Sequence, residues 1–220
     1  MGTGGGEWLA ALPFRPSHTV ATEAWAPNVP VARERLAPLG IDVVQVEGAP
    51  DNMLQTFDQD GGDLPFETGS FDLVVNRHES FLAAEVARVL RPGGSFITQQ
   101  LGDGVFREFS ELLRAGPQLH DPWCLAQAVD QIEKAGLSVV RSAEGREEVT
   151  FADVGALAWY IKMVPWTVPD FTIARYRARL GELHERIETN GPITLPLPGF
   201  YLEAVKPDGV TLPRTASQTR

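Results

Sequence analysis

The chain predicts an α/β fold of three layers: a mostly parallel sheet with helices on both faces, and a helical cap before the last strand. Three observations carry this. Strand-like and helix-like segments alternate along most of the sequence, which calls for a parallel sheet covered on both sides. The run Ile41-Asp-Val-Val-Gln-Val46 is apolar enough to be a strand buried on both faces, as parallel strands are. A glycine cluster, Gly2-Thr3-Gly4-Gly5-Gly6, opens onto the short amphipathic run Glu7-Trp8-Leu9, the pattern of a sharp turn feeding a helix.

Composition bounds the function. At 220 residues the chain suits one domain with room for a subdomain, and 43% hydrophobic with 22% charged residues is ordinary for a globular protein. With 29 acidic against 19 basic residues the formal charge is −10, which argues against nucleic acid and against anionic membrane surfaces as partners. The single cysteine, Cys124, excludes an internal disulfide framework and a Cys-rich zinc site, and reads as a small half-buried hydrophobe. His18, His120 and His184 are scattered and suggest no metal site. No run reaches transmembrane length and the N-terminus lacks a charged-then-apolar leader, so the expected location is cytoplasmic. Nothing in the sequence sets an oligomeric state.

The elements follow in order. Glu7 to Leu12 makes a short helix that Pro13 and Pro16 end. His18 to Trp25 reads as a strand with its acid, Glu23, near the end. Asn28 caps a helix with Pro30 in its first turn, running to Gly40. The strand Ile41 to Val46 comes next, then a loop over 49–70 carrying Asp51, Asp58, Asp60, Gly61, Gly62 and Asp63, whose acids Asp58 and Asp60 read as solvated. Phe71 to Asn76 is a strand. Glu79 to Leu90 is a helix with Phe81, Leu82, Val86 and Leu90 on its core face, stopped by Pro92-Gly93-Gly94. Ser95 to Gln100 is a strand, Phe106 to about Ala115 a helix, and Leu125 to Ala135 another closed by Gly136. Leu137 to Arg141 is strand-like, with Glu147 to Thr150 pairing nearby. Asp153 opens a helix broken by Pro165. A second helix from Thr172 presents Ile173, Tyr176, Leu180, Leu183 and Ile187 and ends at Asn190-Gly191. Phe200 to Val205 is the last strand, and the tail from Pro213 is polar.

Only a residue without Cβ lets a ligand lie against the peptide plane, and the first N–H groups of the helix after the glycine turn point at whatever occupies it. The spacing fits neither the dinucleotide fingerprint nor a phosphate loop, and taken alone it fits a flexible N-terminal tail as well as a ligand cradle. With the acid at the next strand end and the later motifs, the order becomes specific. Gly2-Thr-Gly-Gly-Gly6, Thr22-Glu23-Ala24, Asp63-Leu-Pro-Phe66, Ser70-Phe-Asp-Leu-Val-Val75 and Arg88-Val-Leu-Arg-Pro-Gly-Gly94 together resemble the class I S-adenosylmethionine-dependent methyltransferases, in the group with a small-molecule-type methyltransferase domain. The stretch Trp159 to Phe171 also resembles a segment of a subset of that group.

The resemblance implies a Rossmann-like methyltransferase fold, S-adenosyl-L-methionine as cofactor and a small-molecule methyl acceptor as partner. It implies that Gly2, Thr3, Gly4, Gly5 and Gly6 lie against the methionine part of the cofactor. Glu23 would accept hydrogen bonds from both ribose hydroxyls, with a solvated strand end as the plainer reading, and Ala24 or Trp25 would pack on the adenine. Asp51 or Asn52 would read the adenine amino group. The run Asn76, Arg77, His78 and Glu79 would line the site between cofactor and acceptor at a strand end; His78 is either a general base or acceptor-orienting group, or a structural histidine or helix cap. Trp159, Tyr160, Trp166, Phe171 and Tyr176 line an acceptor pocket or form a subdomain core.

The expected layout is a cofactor-binding core over 1–150, a helical cap over 151–190, a final strand region over 191–212 and a tail over 213–220. The expected activity is methyl transfer to a small molecule; the alternative is a methyltransferase-fold protein, non-catalytic or cofactor-impaired, that acts through partner binding. In the resembled family a buried strand ending in an acid precedes the glycine loop. Here both would lie before Met1, so the expectation is a natural start further upstream.

Overall fold

The structure is a computed structural model that describes residues 1–52, 62–102, 104–116 and 123–208. Asp58, Asp60, Gly61, His120 and the tail from Pro213 lie outside the described residues. The chain forms two compact units. The first holds Met1–Thr98, Val129–Arg141 and the described residues from Leu202 on; the second holds the described residues of Gln99–Ala128 and Ser142–Tyr201.

In the first unit, α1 (Glu7–Ala11) leads to β1 (Val20–Glu23), α2 (Asn28–Leu36) and β2 (Asp42–Gln45). β1 and β2 form a two-stranded parallel sheet, with Val20 opposite Asp42 and Glu23 opposite Gln45. Ala21, Ala32, Leu36, Ile41 and Val43 make its core, against which Leu9 and Ala10 pack. Two expectations change here. Asn28 is the first helical residue and its side chain makes no capping bond. β2 is not buried on both faces: Val43 is buried and Val44 half-buried, but Asp42 and Gln45, on opposite faces, are both exposed.

The remaining strands form a four-stranded sheet in the order β3 (Phe71–Arg77), β4 (Leu90–Leu101), β6 (Ile193–Val205), β5 (Ser138–Phe151). α3 is Ala83–Val89, four residues shorter at its start than the periodicity of Phe81, Val86 and Leu90 predicts. Leu82 is extended, so no helical turn runs through it before Ala83; His78 sits at φ 55, and the Phe81 N–H between them is held by the distant Asn52 Oδ1 at 3.0 Å. Phe81 still reaches the core, fully buried edge-on to Phe96 at 5.0 Å.

Pro92-Gly93-Gly94 was expected to stop the helix, which ends at Val89 before it; the strand expected from Ser95 already begins at Leu90 and runs through this stretch. Gly93 N–H donates to Lys206 O at 2.8 Å and Lys206 N–H to Gly94 O at 2.9 Å, so the last strand pairs with this stretch in the opposite direction. The Lys206 ammonium then donates to Ala87 O and Leu90 O at 2.7 and 2.8 Å, satisfying carbonyls at the end of α3 that have no helical partner.

In the second unit, α4 (Val105–Leu113), α6 (Val154–Met163) and α7 (Ile173–Asn190) surround a core that includes Phe109, Leu113, Leu157, Ile161, Leu183 and Ile193. α5 (Leu125–Lys134) begins in this unit. Asp153 Oδ1 caps α6 through Ala156 N–H at 2.8 Å, and Thr172 Oγ1 caps α7 through Arg175 N–H at 3.1 Å. Tyr176, Leu180, Leu183 and Ile187 are buried as their spacing predicts, but Ile173, first in the helix, is 56% exposed. β5 is one continuous strand rather than two short ones, mostly exposed as the outer strand of its sheet, and β6 begins seven residues before Phe200.

Candidate functional site

The glycine loop is fixed at both ends of its turn. Thr3 N–H donates to Thr22 O at 3.0 Å and Gly6 N–H to Thr3 O at 2.9 Å. Glu23, only 4% exposed, accepts Gly4 N–H at Oε2 (2.6 Å) and Trp25 N–H at Oε1 (2.9 Å). One carboxylate at the end of β1 thus holds the loop on one side and the chain leaving the strand on the other. Each of its oxygens retains a lone pair, and charged hydrogen bonds of this kind are the stronger ones.

Two glycines are required by geometry. Gly2 has φ 64, and a Cβ there would fall 2.4 Å from Glu79 Cβ. Gly6 has φ 83, and a Cβ there would meet Leu36 Cγ at 2.9 Å. Leu36 is fully buried in the core of the β1–β2 sheet and cannot yield. Gly6→Ala is therefore expected to lower stability by about 2 kcal/mol, from the left-handed backbone and the collision together. Urea unfolding reads this directly; an unmoved midpoint would show that the loop shifts without resistance.

Beside the loop lies a small cleft, open to solvent, bordered by Met1, Gly2, Thr22, Ala24, Gly48, Glu79 and Ser80 among others. Gly2 and Ala24 were expected at the site. Thr3, Gly4, Gly5, Gly6, Glu23 and Trp25 are not among the residues that border the cleft; Glu23 meets the loop through Gly4 N–H, and Trp25 is 65% exposed.

Other expected residues stand elsewhere. Asp51 is exposed, and Asn52 is buried with its side chain holding Phe81 N–H; neither is among the residues bordering the cleft. Asn76 is buried at the end of β3, where its Oδ1 accepts Thr98 Oγ1–H at 3.0 Å. Arg77 is half-buried and His78 exposed, one residue before the cleft-lining Glu79. Of the aromatic group, Tyr160 stacks on Phe109 at 5.2 Å and Phe171 on Tyr176 at 5.6 Å, which makes them core of the second unit. Trp159 is exposed.

Of the strand-end run Asn76 to Glu79 expected at the site, Glu79 is the one that borders the cleft; sequence reading gave it no role of its own, because an acid ahead of a helical run also looks like the first turn of a helix, and it missed Ser80. Burial first, and then the neighbouring Glu23 carboxylate, push the Glu79 carboxyl up from its ordinary value; the amino group of Met1 pulls the other way. Among the described residues no group of three or more His, Cys, Asp or Glu side chains could hold a metal ion, and no helix is long and apolar enough to cross a membrane.

Residues 1–98 match the family described as methyltransferase domain. A fatty-acid O-methyltransferase of Mycolicibacterium smegmatis is 34% identical over 103 residues, which is 44% of this chain and 33% of that protein. The chain thus spans about a third of the length of this curated relative. Two solved structures align with 94% of the chain: a protein of Bacillus halodurans assigned as a methyltransferase, at 20% identity and TM-score 0.61, and the YcgJ protein of Bacillus subtilis, at 18% identity and TM-score 0.58. The alignments take in 90% of each of these chains, and at such identities the likeness is one of fold.

Proposed function

We propose that this chain, whose residues 1–98 match the methyltransferase domain family and whose fold is the Rossmann-like methyltransferase fold, transfers a methyl group to a small-molecule acceptor. S-adenosyl-L-methionine is the cofactor this family implies, and it supplies an electrophilic methyl group on a sulfonium. The observation that carries the reading is the glycine loop moored on Glu23 at the edge of a cleft. The residues fit the group: Gly2 leaves no room for a side chain, Gly4 faces open space, and Glu23 presents a buried carboxylate at a strand end.

In this reading Gly2 to Gly6 receive the methionine part, and the remaining lone pairs of Glu23 accept the ribose hydroxyls. Ala24 and Trp25 cover the adenine. Asn76, Arg77 and His78, at the carboxyl end of β3, face the acceptor side, where His78 orients the acceptor or takes its proton. The Mycolicibacterium relative is named for methylation of a fatty acid, which supports an oxygen acceptor on a small apolar acid. A carboxylate is already nucleophilic, so holding it in line supplies most of the rate and asks for no strong base.

Calorimetry with S-adenosylhomocysteine tests the cofactor claim, and a saturable isotherm with Kd well below about 1 mM is expected. No heat at millimolar ligand would sink it. Turnover against a panel of carboxylic acids, alcohols and amines then separates acceptor classes.

A further inference from the structure

Glu79 has no part in the scheme above, yet its position explains why the loop must begin with glycine. A Cβ on Gly2 would lie 2.7 Å from Glu79 Oε2 as well as 2.4 Å from its Cβ, so the missing side chain is what makes space for the carboxylate. Glu79 borders the cleft and is half-buried, and Glu23 lies close enough for the two carboxylates to repel. Glu23 serves two backbone N–H groups at the end of β1. Glu79 follows β3 on the other side of Gly2. In this structure the buried amino group of Met1 is the positive charge that faces both carboxylates, so a ligand that takes its place between them must be positive too.

We propose that Glu79 receives the cationic methionine end of S-adenosyl-L-methionine, its sulfonium or its α-ammonium, beside Gly2; this rests on the methyl-transfer reading above. The arrangement divides the cofactor between two acids, neutral hydroxyls to Glu23 and positive charge to Glu79. Methyl transfer removes the sulfonium charge, so a carboxylate facing that atom holds the reactant more tightly than the product and helps the product leave.

The test is calorimetric binding of three ligands to the full chain and to Glu79→Gln, an isosteric change that removes the charge. The ligands are S-adenosyl-L-methionine, S-adenosylhomocysteine and 5′-methylthioadenosine, which keeps the adenosine but lacks the charged amino-acid end. The expected result is a loss of about tenfold for S-adenosyl-L-methionine, with 5′-methylthioadenosine within about twofold of the unaltered protein. A loss shared by S-adenosylhomocysteine places the carboxylate at the α-ammonium; a loss confined to S-adenosyl-L-methionine places it at the sulfonium. An equal loss for all three ligands, or none, overturns the proposal, and Glu79→Asp should recover part of the affinity if charge is what matters. If the unaltered protein binds none of the three, the functional reading itself falls and this inference with it.

Discussion

Replacing Glu23 with Ala is expected to weaken cofactor binding at least thirtyfold, roughly 2 kcal/mol, and to lower the stability of the free protein by about 3 kcal/mol. The two effects have separate causes. Binding suffers, on the proposed reading, because Glu23 would accept the ribose hydroxyls. Stability suffers because Gly4 N–H and Trp25 N–H both end on this carboxylate, which is only 4% exposed, so its removal leaves two backbone donors without a partner. In a chain of this length the loss should appear as a fall in Tm of roughly 6–12 °C. Glu23→Gln sharpens the test. Its amide oxygen can accept one of the two N–H groups, but its NH2 then faces the other, so a single bond is kept and a donor conflict is added. Wild-type affinity and Tm in both variants would show that the acid neither holds the loop nor meets the ribose.

The second large effect is at Arg88. Its guanidinium donates from Nε and a terminal nitrogen to both oxygens of Glu85, at 2.7 and 2.8 Å, and also to Phe66 O at 2.7 Å and Leu64 O at 2.9 Å. Glu85 in turn accepts Leu64 N–H at 3.0 Å. One ion pair therefore ties the segment Leu64-Pro65-Phe66 to α3. Arg88→Ala is expected to lower stability by about 3 kcal/mol, because it strips partners from two carbonyls and leaves a largely buried carboxylate uncompensated. Lys in its place restores the charge but not the fork, and should recover less than half.

The pH dependence follows from Glu85. The Arg88 hydrogen bonds, and less strongly the Leu64 N–H, hold its carboxyl below the ordinary value against the opposing effect of burial. A depressed carboxyl contributes stability that is fully present above its unfolded pKa and is lost as pH falls through the folded one. The gap between wild type and Arg88→Ala should thus be full at neutral pH and close progressively below about pH 4.3. A gap that stays constant down to pH 3 would show that the pair contributes nothing.

Much of this was legible in the sequence where local pattern and tertiary packing agree. The helices after Asp153 and Thr172 announce themselves by cap and period, and both caps are made as read. Glu23 stood out because an acid ends a strand just after a glycine turn, and the structure indeed brings it to Gly4. The failures share a cause, which is that a distant partner decides the local conformation. Pro92-Gly93-Gly94 stops helices by composition, but Lys206 recruits it into a strand. The residues Glu79 to Leu82 have helical spacing, but Asn52, far back in the chain, takes the Phe81 N–H. Glu79 was legible as part of the strand-end run Asn76 to Glu79, but its contact with Gly2 was not, since no spacing in a sequence encodes that meeting.

The separation of β1 and β2 from the four-stranded sheet also affects how the protein breathes. Among the described residues the backbone of Thr3 bonds to β1 through Thr22 O, and that of Met1 bonds to β3 through Val75 O at 2.6 Å. The two-stranded sheet lies in the same compact unit as β3, so a local opening of it would have to break these bonds and the packing around them. The cleft draws on both sides of these bonds, with Thr22 and Ala24 from β1 and its exit and Glu79 and Ser80 from beyond β3. A molecule seated there acts as a rivet between the two sheets. At a concentration one hundred times its Kd it adds about 2.7 kcal/mol against any opening that destroys the site. Order in this half of the unit is then set by ligand supply as much as by the chain.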